Sequence, residues 1–403
     1  MLPDGWHRST LGEIARISSG GTPDRAEPSY WGGNVPWVTT GEIQFNTISD
    51  TAEKITEAGL KNSSAKLFPP GTLLMAMYGQ GKTRGQMAKL GIEAATNQAC
   101  AAILLPEKQD TDFFFQYLSS QYEAIRELGN AGTQQNLSGG ILKEVQVPVP
   151  PLSEQRRIAR ILSTWDQAIA TTERLLANSR KQKLALTRHL LLAPAQQGRW
   201  PIRAIKEISE RIQGRVAKGE ALPVLMISSG QGFVRQDEKY SRFMAGKSVD
   251  NYIALNKGEF AYNKGNSKLY EFGCVFPLET VERGLVPHVY VCFKLKAQCH
   301  PAFYQHLFAA DFLHDQLGAL VNTGVRNNGL LNIRPHDFLG CKVPVPPMQE
   351  QARIASILQA ATAWIERHEG VVEKLKQEKA ALMAQLLTGK RRVRLDAKAM
   401  EAA

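Results

Sequence analysis

The sequence has few of the features that mark membrane, secreted or metal-binding proteins. Its 403 residues include five cysteines, an odd number without a Cys-x-x-Cys pair, and Cys292, Cys299 and His300 lack zinc-knuckle spacing. The longest clean apolar run, residues 99–105, is far shorter than the roughly 20 residues of a membrane span. No basic region followed by an apolar stretch opens the chain. We therefore expect a reduced cytoplasmic protein without a structural metal ion.

Motifs of catalysis are also missing. The sequence contains no Gly-x-Gly-x-x-Gly fingerprint after a strand, no His-Glu-x-x-His, no Gly-x-Ser-x-Gly elbow and no Asn/Asp-Pro-Pro-aromatic motif of amino-methyltransferases. Residues 76–83 approach a phosphate-binding loop, but Ala76 replaces the first glycine and Gly85 does not suit the helix that should follow. We interpret this segment as an exposed glycine-rich loop with a basic tip. The chain is expected to be no enzyme by itself, with neither catalytic residues nor metal ligands.

Charge is present in excess of one sign, but unevenly. The formal net charge is +11, and nucleic acid is the commonest partner of such a balance. Residues 1–146 nevertheless hold 12 Lys and Arg against 15 Asp and Glu, whereas residues 195–342 hold 19 against 13. If the chain binds DNA, the basic second half and partner subunits must supply part of the phosphate contacts.

The chain contains an internal repeat. Residues 147–191 align without a gap to residues 343–387, and 19 of the 45 aligned positions are identical, beginning with Val-Pro-Val-Pro-Pro in both copies. Weaker matches precede each copy: Trp6 corresponds to Trp200, and Pro70-Gly71-Thr72-Leu73-Leu74-Met75 corresponds to Lys257-Gly258-Glu259-Phe260-Ala261-Tyr262. The sequence therefore predicts two tandem units, each a variable globular block followed by a constant segment.

Each constant segment is predicted to be one long helix. Apolar residues recur in steps of three and four over more than four heptads, which is typical of a coiled-coil seam. The predicted seam residues are Ile158, Leu162, Trp165, Ile169, Leu176, Leu186 and Leu190 in the first helix, and Ile354, Leu358, Ile365, Val372, Leu375, Leu382 and Leu386 in the second. Lys183 and Lys379 are polar seam positions that could fix the register. We expect the helices to pair antiparallel; the other interpretation is that each packs on its own block.

The globular blocks mix short β-rich stretches, glycine-rich turns and a final helix, which indicates an α+β fold with an antiparallel sheet. The predicted fold class is two tandem α+β target-recognition domains, each followed by a long helix, with the helices paired as an antiparallel coiled coil. The predicted domains are recognition domain 1 (1–150), spacer helix 1 (151–194), recognition domain 2 (195–346), spacer helix 2 (347–389) and a basic flexible tail (390–403).

This pattern resembles the specificity subunit of type I restriction–modification systems, over essentially the whole chain. The motifs that carry the resemblance are the segment from Val147 to Ile158, its second copy ending at Ile354, and the opening Leu2-Pro3-x-Gly5-Trp6. The resemblance implies that each block reads half of a bipartite double-stranded DNA target. It also implies docking of two modification subunits and of restriction subunits. S-adenosylmethionine, ATP and Mg would be bound by those partners, with no cofactor in this chain.

Two loops and two turns are the candidate DNA-binding elements. The loops carry side chains that can bond to base edges, and the turns carry lysines suited to phosphates. The candidate residues are Lys82, Thr83, Arg84, Thr133, Gln134, Gln135 and Asn136 in the first block, and Lys264, Asn266, Lys268, Arg326, Asn327 and Asn328 in the second. The competing interpretation is that these segments are ordinary solvated turns, since Asn and Gly favour turns regardless of function.

Two alternatives remain open at the level of sequence. The first is a coiled-coil scaffold with two ligand-binding domains and no role on DNA. The second is a fragment of a single-chain restriction–methylation enzyme, which the missing methyltransferase motif disfavours. Salt-dependent binding to duplex DNA in the presence of a modification subunit would separate these alternatives from a specificity subunit.

If the helices set the gap between two half-sites, their length should change it. Inserting four residues near Ala185 lengthens the first helix by about 6 Å, close to two base-pair rises of ~3.4 Å each. Methylation mapping should then find both half-sequences unchanged and the gap longer by about one or two base pairs. Altered half-sequences at the old gap would show that the helices do not set the spacing.

Overall fold

The computed structural model describes residues 2–79, 81–129, 136–214, 222–239, 251–265, 267–321 and 331–393. The chain divides into two compact units, unit 1 (Met1–Thr172 with Val371–Ala403) and unit 2 (Glu173–Gly370). Each unit therefore contains one globular block and a part of each long helix. The predicted tail beyond residue 393 lies outside the described residues.

The described residues of the first block form eleven short strands and five short α-helices. The strands are β1 His7–Thr10, β2 Arg16–Ser19, β3 Trp31–Val38, β4 Asn46–Ile48, β5 Glu53–Ile55, β6 Leu67–Phe68, β7 Leu73–Ala76, β8 Met87–Leu90, β9 Ala94–Thr96, β10 Cys100–Leu104 and β11 Gln146–Val149. The helices are α1 Leu11–Ile14, α2 Glu57–Lys61, α3 Thr111–Ser120, α4 Tyr122–Leu128 and α5 Gly139–Lys143.

Strand β7 is the centre of this block because both of its faces are buried. It lies between β10 and β8 in the five-stranded sheet β2-β10-β7-β8-β4. Successive strand residues point to opposite faces, so Leu73 and Met75 join the core that contains α3, while Leu74 and Ala76 join a second core. A second sheet has the order β5-β3-β9-β6, and β1 pairs with β11.

The sheets of the first block are mixed, so the expectation of an antiparallel sheet is wrong for two strand pairs. Strand β3 runs parallel to β9, and β4 runs parallel to β8. Parallel neighbours need a long crossover connection. The chain from β3 to β9 provides one, because it passes through β4 to β8 before it returns.

The second block follows the first long helix, α6 Leu152–Thr187. This helix continues through a π-helical turn, Arg188–Leu192, into the short helix α7 Ala193–Gln196. The strands of the second block are β12 Ile202–Ala204, β13 Ser209–Ile212, β14 Leu225–Ser228, β15 Gly232–Arg235, β16 Ile253–Asn256, β17 Phe260–Asn263, β18 Cys274–Pro277, β19 Arg283–Val286, β20 Val291–Leu295 and β21 Lys342–Pro344. Its helices are α8 Ile205–Ile208, α9 Gln236–Lys239, α10 Pro301–Ala309, α11 His314–Leu320 and α12 Pro335–Gly340, and α13 Met348–Leu386 is the second long helix.

The second block repeats the central arrangement of the first. Its main sheet has the order β13-β20-β17-β18, so that β17 takes the place of β7. Phe260 and Tyr262 of β17 enter the core that contains α10, and Ala261 enters a separate core on the opposite face. The structure confirms the α+β fold class for both blocks.

A buried tryptophan joins each block to a glutamate at the start of its long helix, and this glutamate is buried in unit 1 and partly buried in unit 2. Trp6 Nε1 donates to Glu154 Oε2 at 3.2 Å, and Trp200 Nε1 donates to Glu350 Oε2 at 3.1 Å. Each tryptophan also meets a phenylalanine edge-on, Phe113 in unit 1 at 6.5 Å between ring centroids. The Pro-Pro-x-x-Glu-Gln signature thus has a structural role at the base of each helix.

The glutamine of the signature also forms hydrogen bonds through both its amide oxygen and its amide nitrogen. Gln155 Oε1 accepts from the Asp110 backbone N–H at 2.8 Å, and its Nε2 donates to the Pro150 carbonyl at 2.8 Å. Gln351 does the same in unit 2, accepting from the His300 N–H at 2.8 Å and donating to the Pro346 carbonyl at 2.8 Å. Asp110 and His300 are the N-cap residues of α3 and α10. Each glutamine therefore fixes the short helix against the long one.

The long helices pair antiparallel within each unit, as the sequence predicts. In unit 1, Arg392, just after α13, pairs with Glu154, and Lys379 pairs with Asp166. Residue numbers therefore increase along α6 in the direction in which they decrease along the C-terminal part of the chain. In unit 2, Arg180 pairs with Glu369 at 2.6 Å, and Lys183 lies in the field of Glu366. The ion-pair order gives the same orientation in both units.

The burial of the helices follows the heptad pattern. Between residues 363 and 381 of α13, the buried or partly buried residues are Ile365, His368, Val372, Leu375 and Lys379. All except His368 are named above as seam positions, and His368 continues the same spacing of three and four residues. Nearer their N-termini the helices also pack on their own blocks, because Ile158 and Leu162 enter the first core and Ile354 and Leu358 enter the second. Both interpretations of the apolar stripe therefore apply, to different parts of each helix.

Truncating the buried leucines should test this packing. Leu162 and Leu358 are fully buried, so Leu162→Ala or Leu358→Ala should lower the free energy of unfolding by about 2–5 kcal/mol, and lysine at either position should prevent folding or subunit assembly. Chemical denaturation followed by circular dichroism measures the change. The matched control is Leu175→Ala on the same helix as Leu162, since Leu175 is 50% exposed and should shift the value by no more than about 0.5 kcal/mol. Equal effects of Leu162→Ala and Leu175→Ala would contradict the packing described.

Candidate nucleic-acid interface

The basic turn of the first block connects β7 to β8. The Gly85 N–H donates to the Ala76 carbonyl at 2.8 Å, and the Ala76 N–H donates to the Gln86 carbonyl at 3.0 Å, which closes an antiparallel hairpin. Gly81 has a φ of 72° and Gly85 a φ of 86°, conformations that favour glycine. A phosphate-binding loop would open a helix here, whereas the chain enters strand β8. The segment that approaches a nucleotide-binding motif is therefore a hairpin turn.

Helix α4 supports this turn from one side. The Tyr122 hydroxyl donates to the Lys82 carbonyl, and the Arg126 guanidinium donates to the Gly81 carbonyl. With its backbone held in this way, Lys82 presents an exposed side chain and Thr83 a partly exposed one. Arg84 is only 7% exposed. Lys82 is thus an exposed cation of the turn, whereas Arg84 is buried in the block.

The polar loop of the first block returns to the same strand end. Thr133, Gln134 and Gln135 lie outside the described residues. Asn136, the first described residue after them, is exposed. The next N–H, that of Leu137, donates to the Met77 carbonyl at 3.0 Å. Met77 immediately follows β7, so Asn136 lies beside the start of the basic turn. The two candidate elements of this block share one edge of the sheet.

The second block has the same juxtaposition. The Leu331 N–H donates to the Lys264 carbonyl at 2.9 Å, and Lys264 immediately follows β17. Lys268 is exposed in the turn that leads to β18, and Asn266 lies outside the described residues. Arg326, Asn327 and Asn328, which precede Leu331, also lie outside the described residues.

These two hydrogen bonds occupy equivalent places in the repeat. Met77 and Lys264 are separated by the same 187 positions as Leu73 and Phe260, which begin the matching strands. Leu137 and Leu331 are the buried leucines with which each polar loop rejoins the core. The sequence aligned the strands, but it gave no sign that each loop is pinned to the end of its strand.

An aromatic residue at this edge escaped the sequence analysis. Tyr78 is 43% exposed and lies between Met77 and the glycines of the basic turn. Phe45, 41% exposed, meets Tyr122 of α4 edge-on at 5.3 Å between ring centroids. Tyrosine hydroxyls contribute to phosphate contacts in protein–DNA interfaces. The available signal was an aromatic side chain inside a glycine-rich turn.

The described residues offer little for covalent or metal chemistry. All five cysteines are free and buried, and burial raises the pKa of Cys100 and of Cys292 to about 12. Thiols with such pKa values are poor nucleophiles and ligands at neutral pH. Within the described ranges, no three His, Cys, Asp or Glu side chains cluster as a metal site would require. The same residues form no helix that is both long and apolar enough to cross a membrane.

The comparisons with known proteins agree with one another. Residues 3–178 match the family model of the type I restriction modification DNA specificity domain. The MjaIX specificity subunit of Methanocaldococcus jannaschii is 28% identical over 190 residues, which cover 46% of this chain and 43% of that subunit, less than half of its length. The MjaVIII specificity subunit of the same archaeon is 22% identical over 98% of this chain and 94% of its own. The EcoKI specificity subunit of Escherichia coli K12 is 23% identical over 91% and 84%.

Solved structures show the same fold. The S subunit of a type I restriction–modification system from M. genitalium superposes with a TM-score of 0.60 at 16% identity, covering 96% of this chain and 98% of the other. A chain from a type I restriction–modification assembly superposes with a TM-score of 0.57 at 16% identity, covering 97% and 100%. Residues 3–178 therefore match a type I restriction modification DNA specificity domain, and the chain along nearly its whole length is similar in sequence and in fold to type I restriction–modification specificity subunits.

Proposed function

We propose that this chain is the DNA-recognition subunit of a type I restriction–modification complex and has no catalytic role of its own. The observation that carries the proposal is the repeated edge, where Leu137 bonds to Met77 in one block and Leu331 bonds to Lys264 in the other. One block in each half of the chain suits a target with two half-sequences. At each edge a polar loop meets a basic turn, which is the combination needed for base reading and phosphate contact.

The charges divide the work between the two blocks. Lys82 is the exposed cation of the first turn, whereas the second block carries Lys264 and the exposed Lys268 within a more basic composition. Phosphate neutralisation usually supplies much of the affinity for DNA. We infer that the first block obtains part of this affinity from a partner subunit, since its own composition is acidic.

We further propose that two modification subunits, and restriction subunits where present, dock on the long helices. The support is that both long helices expose large apolar side chains at positions where a solvent-facing helix surface is normally polar: Trp364 is 55% exposed and Leu184 is 65% exposed. Exposed apolar patches of this kind mark interaction sites. S-adenosylmethionine, ATP and Mg would then be bound by those partners, and the complex would act on DNA in the cytoplasm. A scaffold without a DNA role loses its support, because the family model that matches is a DNA specificity domain.

Replacing Lys82 should weaken binding without changing specificity. Lys82→Ala removes one phosphate contact, so the slope of log K against log salt should fall by about one for every DNA sequence alike. Binding of duplexes to the complex with modification subunits, measured across salt concentrations, gives this slope. Lys108→Ala is the matched control. Lys108 is exposed and follows the end of β10 that pairs with the start of β7, so it lies at the other end of the strands from the basic turn. Its loss should leave the slope unchanged. A slope unaffected by Lys82→Ala would remove the basic turn from the interface.

Replacing Arg326 should instead alter specificity in one half-site. Arginine bonds bidentately to guanine, so Arg326→Ala should cost about 1–3 kcal/mol on the cognate duplex and relax one base position of the second half-sequence. Competition with duplexes that differ at single positions measures both effects. Arg199→Ala, at an exposed arginine outside both loops, serves as the control. A uniform loss with every base position still discriminated would assign Arg326 to the DNA backbone.

A further inference from the structure

A partly exposed carboxylate links three helices in unit 1. Asp166 of α6 accepts from Gln116 Nε2 of α3 at 2.6 Å through Oδ2, and from Lys379 Nζ of α13 at 2.6 Å through Oδ1. The Lys379 side chain is only 16% exposed. A lysine in such surroundings needs a partner, because an unpaired buried charge is strongly destabilising. The Asp166 carboxylate supplies that partner here.

The repeat places different residues at the equivalent positions of unit 2. The offset of 196 that relates the helix copies makes Lys183 the counterpart of Lys379, and Thr362 the counterpart of Asp166. The short helices correspond through their caps, since Gln155 bonds to Asp110 and Gln351 bonds to His300, an offset of 190.

That second offset makes His306 the counterpart of Gln116. Unit 2 thus keeps the lysine, gains a histidine and loses the carboxylate. Thr362 cannot replace it, because its hydroxyl donates to the Leu358 carbonyl of its own helix at 2.8 Å.

Lys183 and His306 line one cavity of about 400 Å³, together with Arg180, Leu184, Thr187 and Ile365. His306 Nε2 is buried without a hydrogen-bond partner among the described residues. Burial, followed by the charge of Lys183, lowers the pKa of His306 to about 4. Burial also lowers the pKa of Lys183, and Glu366 opposes that shift. These are the signs of two basic groups that face each other without an anion between them.

The other charged groups at this cavity do not fill the gap. Arg180 of α6 is paired with Glu369 of α13 at 2.6 Å, so these two charges balance each other. Glu366 of α13 acts on Lys183 through its field and makes no hydrogen bond to it within the described contacts. The remaining donors, Lys183 Nζ and the His306 ring, are the types that bind oxyanions most strongly when charged.

We propose that this cavity of unit 2 binds a small oxyanion, a carboxylate or phosphate group, where unit 1 has the Asp166 carboxylate. The group is either a free anion or the acidic side chain of a docking subunit, and both sources offer the same oxygens to Lys183 and His306. The cavity does not include the candidate DNA-binding loops and turns at the ends of β7 and β17. A bound anion would therefore stabilise the junction of α6, α10 and α13 without contributing to DNA recognition.

The first experiment measures the melting temperature of the full chain in sodium phosphate and in sodium acetate, against sodium chloride at equal ionic strength. A site for oxyanions predicts a saturable rise in melting temperature with at least one of the two anions, because a ligand that binds only the folded state stabilises it. Nuclear magnetic resonance of the His306 ring should show its pKa rising as the anion saturates. No saturable rise with either anion would overturn the proposal.

Two substitutions locate the effect. Thr362→Asp restores the carboxylate of unit 1, so the variant should melt higher than the parent without added anion and should lose the response to phosphate and acetate. Thr362→Asn has the same shape without the charge and should keep the response. If Thr362→Asp responds like the parent, the anions bind elsewhere and the assignment is wrong.

A third variant keeps the test decisive should Thr362→Asp fail to fold. Lys183→Met should abolish the response, whereas Lys181→Met, at an exposed position of the same helix, should keep it. An unchanged response in Lys183→Met refutes the site. The same titration on the complex with modification subunits then separates the sources. A response lost on assembly and recovered on dissociation identifies a partner's carboxylate, and a response that persists identifies a free anion.

Discussion

The architecture depends on a glutamate and a glutamine at the start of each long helix, of which all but the partly buried Glu350 are buried. Glu154 and Gln155, and their copies Glu350 and Gln351, bond to a tryptophan, to the cap of a short helix and to the preceding proline carbonyl. Buried polar groups must find partners, and a fully satisfied network specifies a single geometry. Each long helix therefore leaves its block in a fixed direction, and β7 or β17, the strand that ends at the basic turn, packs on the same core.

The polar loops that rejoin the sheets at Leu137 and Leu331 are attached in a different way. In the described part of each loop, the attachments to the sheet are a backbone hydrogen bond and a buried leucine, at Leu137 and at Leu331. A backbone bond makes no demand on the side chains of the residues before it. The loop sequence can therefore diverge between the blocks while its exit point stays the same. This division explains why the helix copies share 19 of 45 residues whereas the blocks match only at short anchors.

Much of the fold followed from patterns that act over short distances. The heptad spacing predicted which helix residues are shielded from solvent, and the repeat predicted two blocks of one class. Pairings between distant segments were harder, because strand direction depends on how the chain returns: β3 with β9, and β4 with β8, run parallel. For the same reason the direction of Arg84 within its turn was missed, since burial there is set by the packing of the folded turn. The loss of a carboxylate at Thr362 became visible only when Gln116 and His306 were known to be equivalent, which required the hydrogen bonds at their helix caps.

The way in which the chain is divided between the two compact units affects how the protein folds during its synthesis. Unit 1 includes Val371–Ala403, and Leu386 and Leu387 seal the same core as Trp6 and Phe113. The ribosome makes those leucines only after all of unit 2, so the first block emerges with part of its apolar surface uncovered. Contacts of such large sequence separation form slowly, and exposed apolar surface in the interval promotes aggregation. The second block has no such wait, because unit 2 is one continuous stretch of chain. The block made first is therefore the one completed last, and chaperones have most to protect at the beginning of the chain.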